Sequence, residues 1–414
     1  MSSIIIKNIK QLVGTRSESH LLRGKELAEL TSIGNAYLII EDDEITGYGS
    51  MKNLKTTIDH QSSNIDASNQ FILPAYCDSH THLVFAGSRE SEFVDKLKGL
   101  TYAEINAKGG GILNSAKKLN ETSEDELFIQ AWKRLEELSR FGTGAIEIKS
   151  GYGLTLEGEL KMLRVIKKLK GKSNLHIKST FLGAHTYPLE YRENHQGYID
   201  LIINEMLPII AKEKLADYID VFCEKGFFNV EEMETICKAG IQYGLKPKLH
   251  VNQLNSIGGI QAGIKLRAIS LDHLETMTAE DIQSLIQSNT IGTLLPTAAF
   301  FLRMPFQPAR ALIDAGCTIA LASDYNPGSS PSGNMNFVLS LSCVQMKMLP
   351  EEAVNAATIN GAFAMELGND LGSITVGKKA NLIFTKPIPS LAYLPYSFGT
   401  NLIDKVMING NFIH

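Results

Sequence analysis

The sequence predicts an α/β protein: a (β/α)8 barrel of the TIM type, with a small β-sandwich domain built from both chain termini. Three observations carry the prediction. Eight apolar, strand-like runs alternate with helix-period segments through the middle of the chain. Short strands punctuated by Gly and Asn occupy both ends. The segment Asp78-Ser79-His80-Thr81-His82 directly follows the apolar run Phe71-Ile72-Leu73-Pro74-Ala75-Tyr76-Cys77, and the carboxyl end of a strand is where such a barrel keeps its chemistry.

The N-terminal strands are read at Ile4-Ile5-Ile6, Ala36-Tyr37-Leu38-Ile39-Ile40 and Ile45-Thr46-Gly47-Tyr48-Gly49. The central strand candidates are 72–78, 144–149, 175–181, 218–223, 247–251, 268–272, 290–295 and 318–323. Helices fit between them. In 124–140, Leu127, Ala131, Leu135 and Leu138 recur at helical spacing before the stop Phe141-Gly142. Strands return at Gly372–Gly377, Ala380-Asn381-Leu382-Ile383-Phe384 and Val406-Met407-Ile408-Asn409-Gly410. The expected division is a β domain from 1–70 plus 368–414 and a catalytic barrel from 71–367.

Composition excludes several classes of function. The chain has 414 residues and a net charge of −5, so no basic surface argues for nucleic acid or an anionic membrane. No apolar run approaches membrane-span length, and the N-terminus lacks the pattern of a signal peptide. Five scattered cysteines (Cys77, Cys223, Cys237, Cys317, Cys343) without a C-x-x-C read as reduced, buried thiols of a cytoplasmic protein.

Two histidines one residue apart on a strand point the same way, so His80 and His82 can reach one metal ion. The other strand ends carry Glu147-Ile148-Lys149-Ser150-Gly151-Tyr152, then Gly183-Ala184-His185, Cys223-Glu224, His250-Val251-Asn252-Gln253, Asp272-His273-Leu274-Glu275 and Ser323-Asp324-Tyr325-Asn326. Three imidazoles and one carboxylate suit a divalent first-row metal. His80, His82, His250 and Asp324 are the expected ligands, with a remaining position for water whose pKa the metal lowers to about 7. A core histidine would explain His250 alone and a turn carboxylate Asp324 alone; all four on one rim are hard to obtain by chance. Lys149 invites comparison with the carboxylated-lysine bridges of two-metal barrels. No lysine ends the fourth strand, so one metal is expected and Lys149 is read as structural or electrostatic. His20, His60, His176, His195 and His414 lie away from strand ends and are read as surface or satisfied polar residues.

The pattern resembles the amidohydrolase superfamily: terminal β domain, barrel between, His-x-His on the first strand, His on the fifth and sixth, Asp on the eighth. Within it, the chain is most similar to the branch that hydrolyses 4-imidazolone-5-propanoate to N-formimidoyl-L-glutamate in histidine degradation. The matching stretches are His80-Thr81-His82-Leu83-Val84-Phe85-Ala86-Gly87-Ser88-Arg89-Glu90, Gly109-Gly110-Gly111-Ile112-Leu113, Lys149-Ser150-Gly151-Tyr152-Gly153-Leu154, Gly183-Ala184-His185, Ser323 to Pro331 and Leu394-Pro395-Tyr396-Ser397-Phe398-Gly399.

The resemblance implies zinc or iron held by His80, His82, His250 and Asp324. It implies a substrate site lined by Arg89, Tyr102, Tyr152, His185, Gln253, Asn326, Gly328 and Ser329. Arg89 would grip the substrate carboxylate with a fork that lysine cannot match; a rim salt bridge with Glu90 or Glu92 is the plainer alternative. Tyr102 and Tyr152 would pack on the flat ring, or else belong to the core. The metal or His185 would polarise the ring carbonyl. A histidine, whose ordinary pKa is roughly 6.5, suits both proton transfers; this points to His273, assisted by Asp324, unless His273 only orients a ligand. Relatives commonly carry a carboxylate just after the fifth-strand histidine, whereas Asn252 and Gln253 are amides. Cytosine- and guanine-deaminase-like relatives use His-x-x-Glu there, so Gln253 argues against the runner-up, a heterocycle deaminase. A third reading is an inactive metal- or ligand-binding barrel. The expected partner is the small-molecule substrate, and a homodimer is the default assembly.

Overall fold

The computed structural model describes residues 3–54, 63–100, 104 and 110–413. Eight parallel strands follow one another in sequence order: β6 (Tyr76–Asp78), β7 (Thr143–Lys149), β8 (His176–Ala184), β9 (Tyr218–Cys223), β10 (Lys246–Val251), β11 (Ser270–His273), β12 (Ile291–Leu294) and β13 (Ile319–Leu321). Every residue of β7, β9, β11 and β12 is buried. That is the behaviour of parallel strands covered by helices outside and filled by side chains within. The ring closes just beyond the strands. Thr81 bridges Tyr325 in parallel, His82 N–H donates to Tyr325 O at 2.8 Å, and Asp324 N–H donates to His80 O at 3.0 Å. Closure therefore brings the His-x-His segment and Asp324 side by side.

The second sheet runs β16 (Asn411–Ile413), β15 (Ile403–Ile408), β14 (Leu382–Thr385), β5 (Phe71–Pro74), β1 (Ser3–Val13), β2 (Ser32–Glu41), β3 (Glu44–Ser50), with β4 (Ser63–Asp66) on β1. It is mixed: β1 pairs in parallel with β4 and β5 and antiparallel with β2. Its own core contains Ile6, Ile9, Leu12, Leu38, Ile40, Leu382, Phe384 and Met407.

The run expected as one strand, 72–78, is two strands in two sheets. Phe71–Pro74 pairs with β14 and β1, while Tyr76–Asp78 pairs with β7. Pro74 has no N–H to continue a ladder. The next residue, Ala75, donates to Asn381 O at 2.9 Å, and Tyr76 N–H donates to Gly142 O at 2.9 Å. The chain changes sheets at this point.

The helix read at 124–140 is Glu124–Arg140, burying Leu127, Ala131, Leu135 and Leu138. Ser123 caps it, its side chain accepting from Glu126 N–H at 3.2 Å. It stops at Phe141, and Gly142 takes φ +98°, a conformation that glycine adopts without strain. Cys77, Cys223, Cys237 and Cys317 are buried free thiols and Cys343 is half-buried. Among the described residues no helix is long and apolar enough to cross a membrane.

Candidate metal centre and substrate pocket

His80 and His82 leave β6 on the same side, as strand alternation requires, and both are buried. Their rings are 5.4 Å apart between centroids, and the His250 ring from β10 lies 4.4 Å from His80 and 5.5 Å from His82. One ligand atom from each of the three falls within 4.8 Å of the others. His80 donates from Nδ1 to Asp272 Oδ2 at 2.7 Å, and His250 from Nδ1 to Asp220 Oδ2 at 2.8 Å. Each ring therefore keeps its Nε2 lone pair, and both Nε2 atoms are buried without a hydrogen-bond partner. Orphaned buried polar atoms are costly; a shared cation would satisfy both. Asp324 Oδ1 lies 3.4 Å from His80 Nε2 and 3.5 Å from His82 Nε2. Burial pushes the Asp324 carboxyl up, but the His80 and His82 rings beside it outweigh that and hold it well below the usual carboxylate range. This donor set of three imidazoles and a carboxylate is suited to a metal ion.

Above the cluster opens a cavity of about 470 Å³. It is lined by His82, Arg89, Tyr152, His185, His250, Gln253, His273, Asp324, Asn326, Gly328 and Ser329. These expected site residues, drawn from six stretches of sequence, are thus brought to one wall-to-floor space. Tyr102 lies outside the described residues, as does Gly109 of the Gly-rich run. His176 bonds Asn409 at 3.0 Å, His195 stacks on Tyr187 at 3.7 Å, and His20 is exposed; none joins the cluster. His60 and His414 also lie outside the described residues.

Arg89 donates through Nε (2.9 Å) and Nη2 (2.5 Å) to Glu92 Oε2. Glu92 Oε1 in turn accepts from Gly111 N–H at 3.2 Å. The guanidinium lies so close to Gly328 that a Cβ there would sit 2.2 Å from Arg89 Nη1. Asn326 builds the facing turn: its Oδ1 accepts from the N–H groups of Gly328 and Ser329, both at 2.8 Å. Its Nδ2 donates to Asp324 O and Ser329 Oγ.

The opposite wall is held by Glu159, a buried carboxylate accepting from the N–H groups of Gly151 (3.1 Å), Gly153 (2.7 Å) and Leu154 (2.9 Å). This fixes Tyr152 beside His82 and His185, 5.8 and 5.4 Å away between centroids. His185 donates from Nδ1 to Gly151 O at 2.9 Å and stacks on His82. At Gly151, φ is +114° and a Cβ would come 2.9 Å from His185 Nδ1, so only glycine lets this close approach stand. Burial, with the His82 ring adding, pushes His185 down to about 3. It is neutral, with Nδ1 protonated and Nε2 an acceptor.

His273, at the end of β11, lies 5.1 Å from His250 between ring centroids. Its Nδ1 faces Glu275 Oε1 at 3.4 Å, and Gln307 donates to that oxygen at 2.9 Å. Gln253 faces the cavity. Its neighbour Asn252 turns away, donating to Thr276 O (2.8 Å) and Asp281 Oδ2 (3.1 Å).

Sequence reasoning gave no role to Asp220, Asp272, Glu159 and Glu275; Glu92 was foreseen only as one of two salt-bridge alternatives for Arg89, and the structure forms that pair. A signal existed for the first two. Each is a lone carboxylate inside an apolar strand, Tyr-Ile-Asp-Val-Phe-Cys and Ser-Leu-Asp-His, and a buried carboxylate needs a partner.

The barrel and the buried histidine cluster at its strand ends suggest a metal-binding barrel enzyme. The sequence profile of the amidohydrolase family matches residues 71–413. The chain is 60% identical to the imidazolonepropionase of Flavobacterium johnsoniae over 410 residues, covering 99% of both chains. It is 55% identical to the imidazolonepropionase of Christiangramia forsetii over 413 residues, covering 99% of this chain and 100% of the other. Among solved structures, guanine deaminase of E. coli superimposes with a TM-score of 0.74 at 14% identity, covering 100% of this chain and 99% of that one, a likeness of fold alone. The chain belongs to the amidohydrolase family, among its imidazolonepropionase members.

Proposed function

We propose that this chain hydrolyses 4-imidazolone-5-propanoate to N-formimidoyl-L-glutamate, the ring-opening step of histidine degradation. The observation that carries the reading is the buried group His80, His82, His250 and Asp324, of which His82, His250 and Asp324 line the same cavity as Arg89. The relatives at 55 and 60% identity support it.

One metal ion, zinc or iron, bound by those four residues would supply Lewis acidity and water acidified toward neutral pH. The chain's own groups do the rest. Arg89 binds the propanoate carboxylate. Its Nε–Nη2 edge is committed to Glu92, so the substrate meets the Nη1–Nη2 edge beside Gly328 and Ser329. Burial pushes the Tyr152 phenol up, so it remains a hydrogen-bond donor against the ring. His185 is neutral with Nδ1–H already used, so its Nε2 accepts from a substrate N–H and does not donate to the carbonyl oxygen. Tyr102 is kept as a ring-packing residue by resemblance. His273, held through Nδ1 by Glu275, has Nε2 for moving a proton from water to the departing ring nitrogen, with ionised Asp324 as the partner base. Gln253 orients the substrate and cannot serve as the base, which disfavours deamination.

We read 71–367 as the catalytic barrel, apart from Phe71–Pro74, whose strand pairs within the flanking β domain of 1–70 and 368–414. Reduced, buried thiols fit a cytoplasmic setting, and a homodimer is the default assembly.

Mixing the purified, metal-loaded protein with freshly made imidazolone propanoate tests the reading. Loss of the ring's ultraviolet absorbance and a product one water heavier are expected. Unchanged absorbance, or ammonia release from guanine or cytosine instead, would overturn it.

A further inference from the structure

Beneath the histidine cluster lies a fully buried set of charges that the proposed reaction does not use. Lys149 Nζ is 2.7 Å from Glu147 Oε1, 2.9 Å from Asp220 Oδ2 and 3.6 Å from Asp272 Oδ2. Lys248 Nζ is 2.7 Å from Glu147 Oε2. The exposure of all five side chains is 0%. The two oxygens that meet Lys149, Asp220 Oδ2 and Asp272 Oδ2, are the same atoms that accept from His250 Nδ1 and His80 Nδ1. We propose that Lys149 is a positioning residue for the metal site, its single ammonium tying together the two carboxylates that fix the rings of His80 and His250. This rests on the one-metal reading above.

The tie spans the barrel interior. Lys149 comes from β7, Asp220 from β9 and Asp272 from β11, and none of these strands neighbours another. The rings they hold come from the segment after β6 and from β10. Partners outside the first ligands commonly govern metal affinity by fixing tautomer and ring direction. Here both partners share one cation, so neither carboxylate can swing away from its histidine without abandoning it. Two ammonium groups (Lys149, Lys248) against three carboxylates (Glu147, Asp220, Asp272) leave 2 − 3 = −1 buried beneath the site, a sign suited to a cation above. Burial works against a charged Lys149, but Asp220, Glu147 and Asp272 outweigh it and keep the ammonium protonated.

A mere charge plug differs from a positioning residue in one respect: charge balance can be restored from elsewhere, whereas the tie cannot. Zinc affinity is therefore measured by competition with a chromophoric chelator, alongside the absorption spectrum of the cobalt(II)-loaded protein, for Lys149→Met and for Lys149→Met with Glu147→Gln. The double variant removes one charge of each sign and keeps the network at −1. Zinc binding is expected to weaken about 10- to 100-fold in both, with an altered cobalt spectrum in both. Wild-type affinity and spectrum in the double variant would overturn the proposal and leave Lys149 a charge plug. If neither variant folds, Lys149→Gln decides: it leaves both carboxylates on their histidines but removes the ammonium that ties them. The same weakening is expected, and wild-type affinity would overturn the proposal. A wild-type chain that takes up no zinc would overturn the metal site itself, and the role of Lys149 with it.

Discussion

Arg89 does not wait in the cavity as a free cation. Glu92 holds two of its donors and the bare backbone of Gly328 lies against a third, so its direction is set before a carboxylate arrives. Pre-set direction is what a point charge lacks. Arg89→Lys is expected to raise KM about tenfold, or about 1.4 kcal/mol, with metal content by elemental analysis unchanged. Gly328→Ala should raise KM comparably, because its Cβ displaces a guanidinium that Glu92 will not release. Combining the two should add little, since both act on one contact; steady-state kinetics of the three variants checks this. A summed loss would mean that Gly328 acts elsewhere. His80 and Asp324 were legible in the sequence because their meaning depends on position at the end of a strand, whereas Arg89, at the N-terminus of the helix Glu90–Leu97, was legible only through the family resemblance. Lys149 and Asp220 were not, because their pairing exists only once strands that are not neighbours face each other inside a closed barrel.

Short local elements set the walls of the site. The turn from Ser150 to Leu154 is held by Glu159, from the first turn of the helix Leu156–Lys172. Three backbone N–H groups converge on that carboxylate. Glu159→Gln replaces one acceptor oxygen by a donor. We expect a stability loss of about 2 kcal/mol and a fall in kcat/KM through a misplaced Tyr152, read by thermal unfolding and steady-state kinetics. Retained kcat/KM would show that Tyr152 does not depend on the turn. By contrast, Ser123→Ala removes a helix cap that does not line the cavity. It should cost about 1 kcal/mol and leave kinetics unchanged. That helix was readable from its apolar spacing and its stop residues, and the structure gives it the same limits. The first strand was not fully readable: an apolar run carries no mark of which sheet it joins, and only the missing N–H of Pro74 hints at the change.

At the scale of the whole molecule, the barrel works as a device for bringing distant strand ends to one rim. Alternating apolar runs sufficed to foresee eight strands, since burial on both faces leaves an uninterrupted hydrophobic signature. The closing contact could not be foreseen, because it joins residues 81 and 325 through backbone bonds outside the named strands. That contact places Asp324 against His80 and His82 and so completes the proposed ligand set. The central claim is that one ion, held by this set, makes the chain an imidazolone hydrolase. Titrating zinc into chelator-treated protein while following imidazolone propanoate absorbance tests it most directly. No turnover is expected without metal, and activity is expected to rise linearly and break at one ion per chain. Full turnover in the metal-free protein, or a break at two ions, would contradict it.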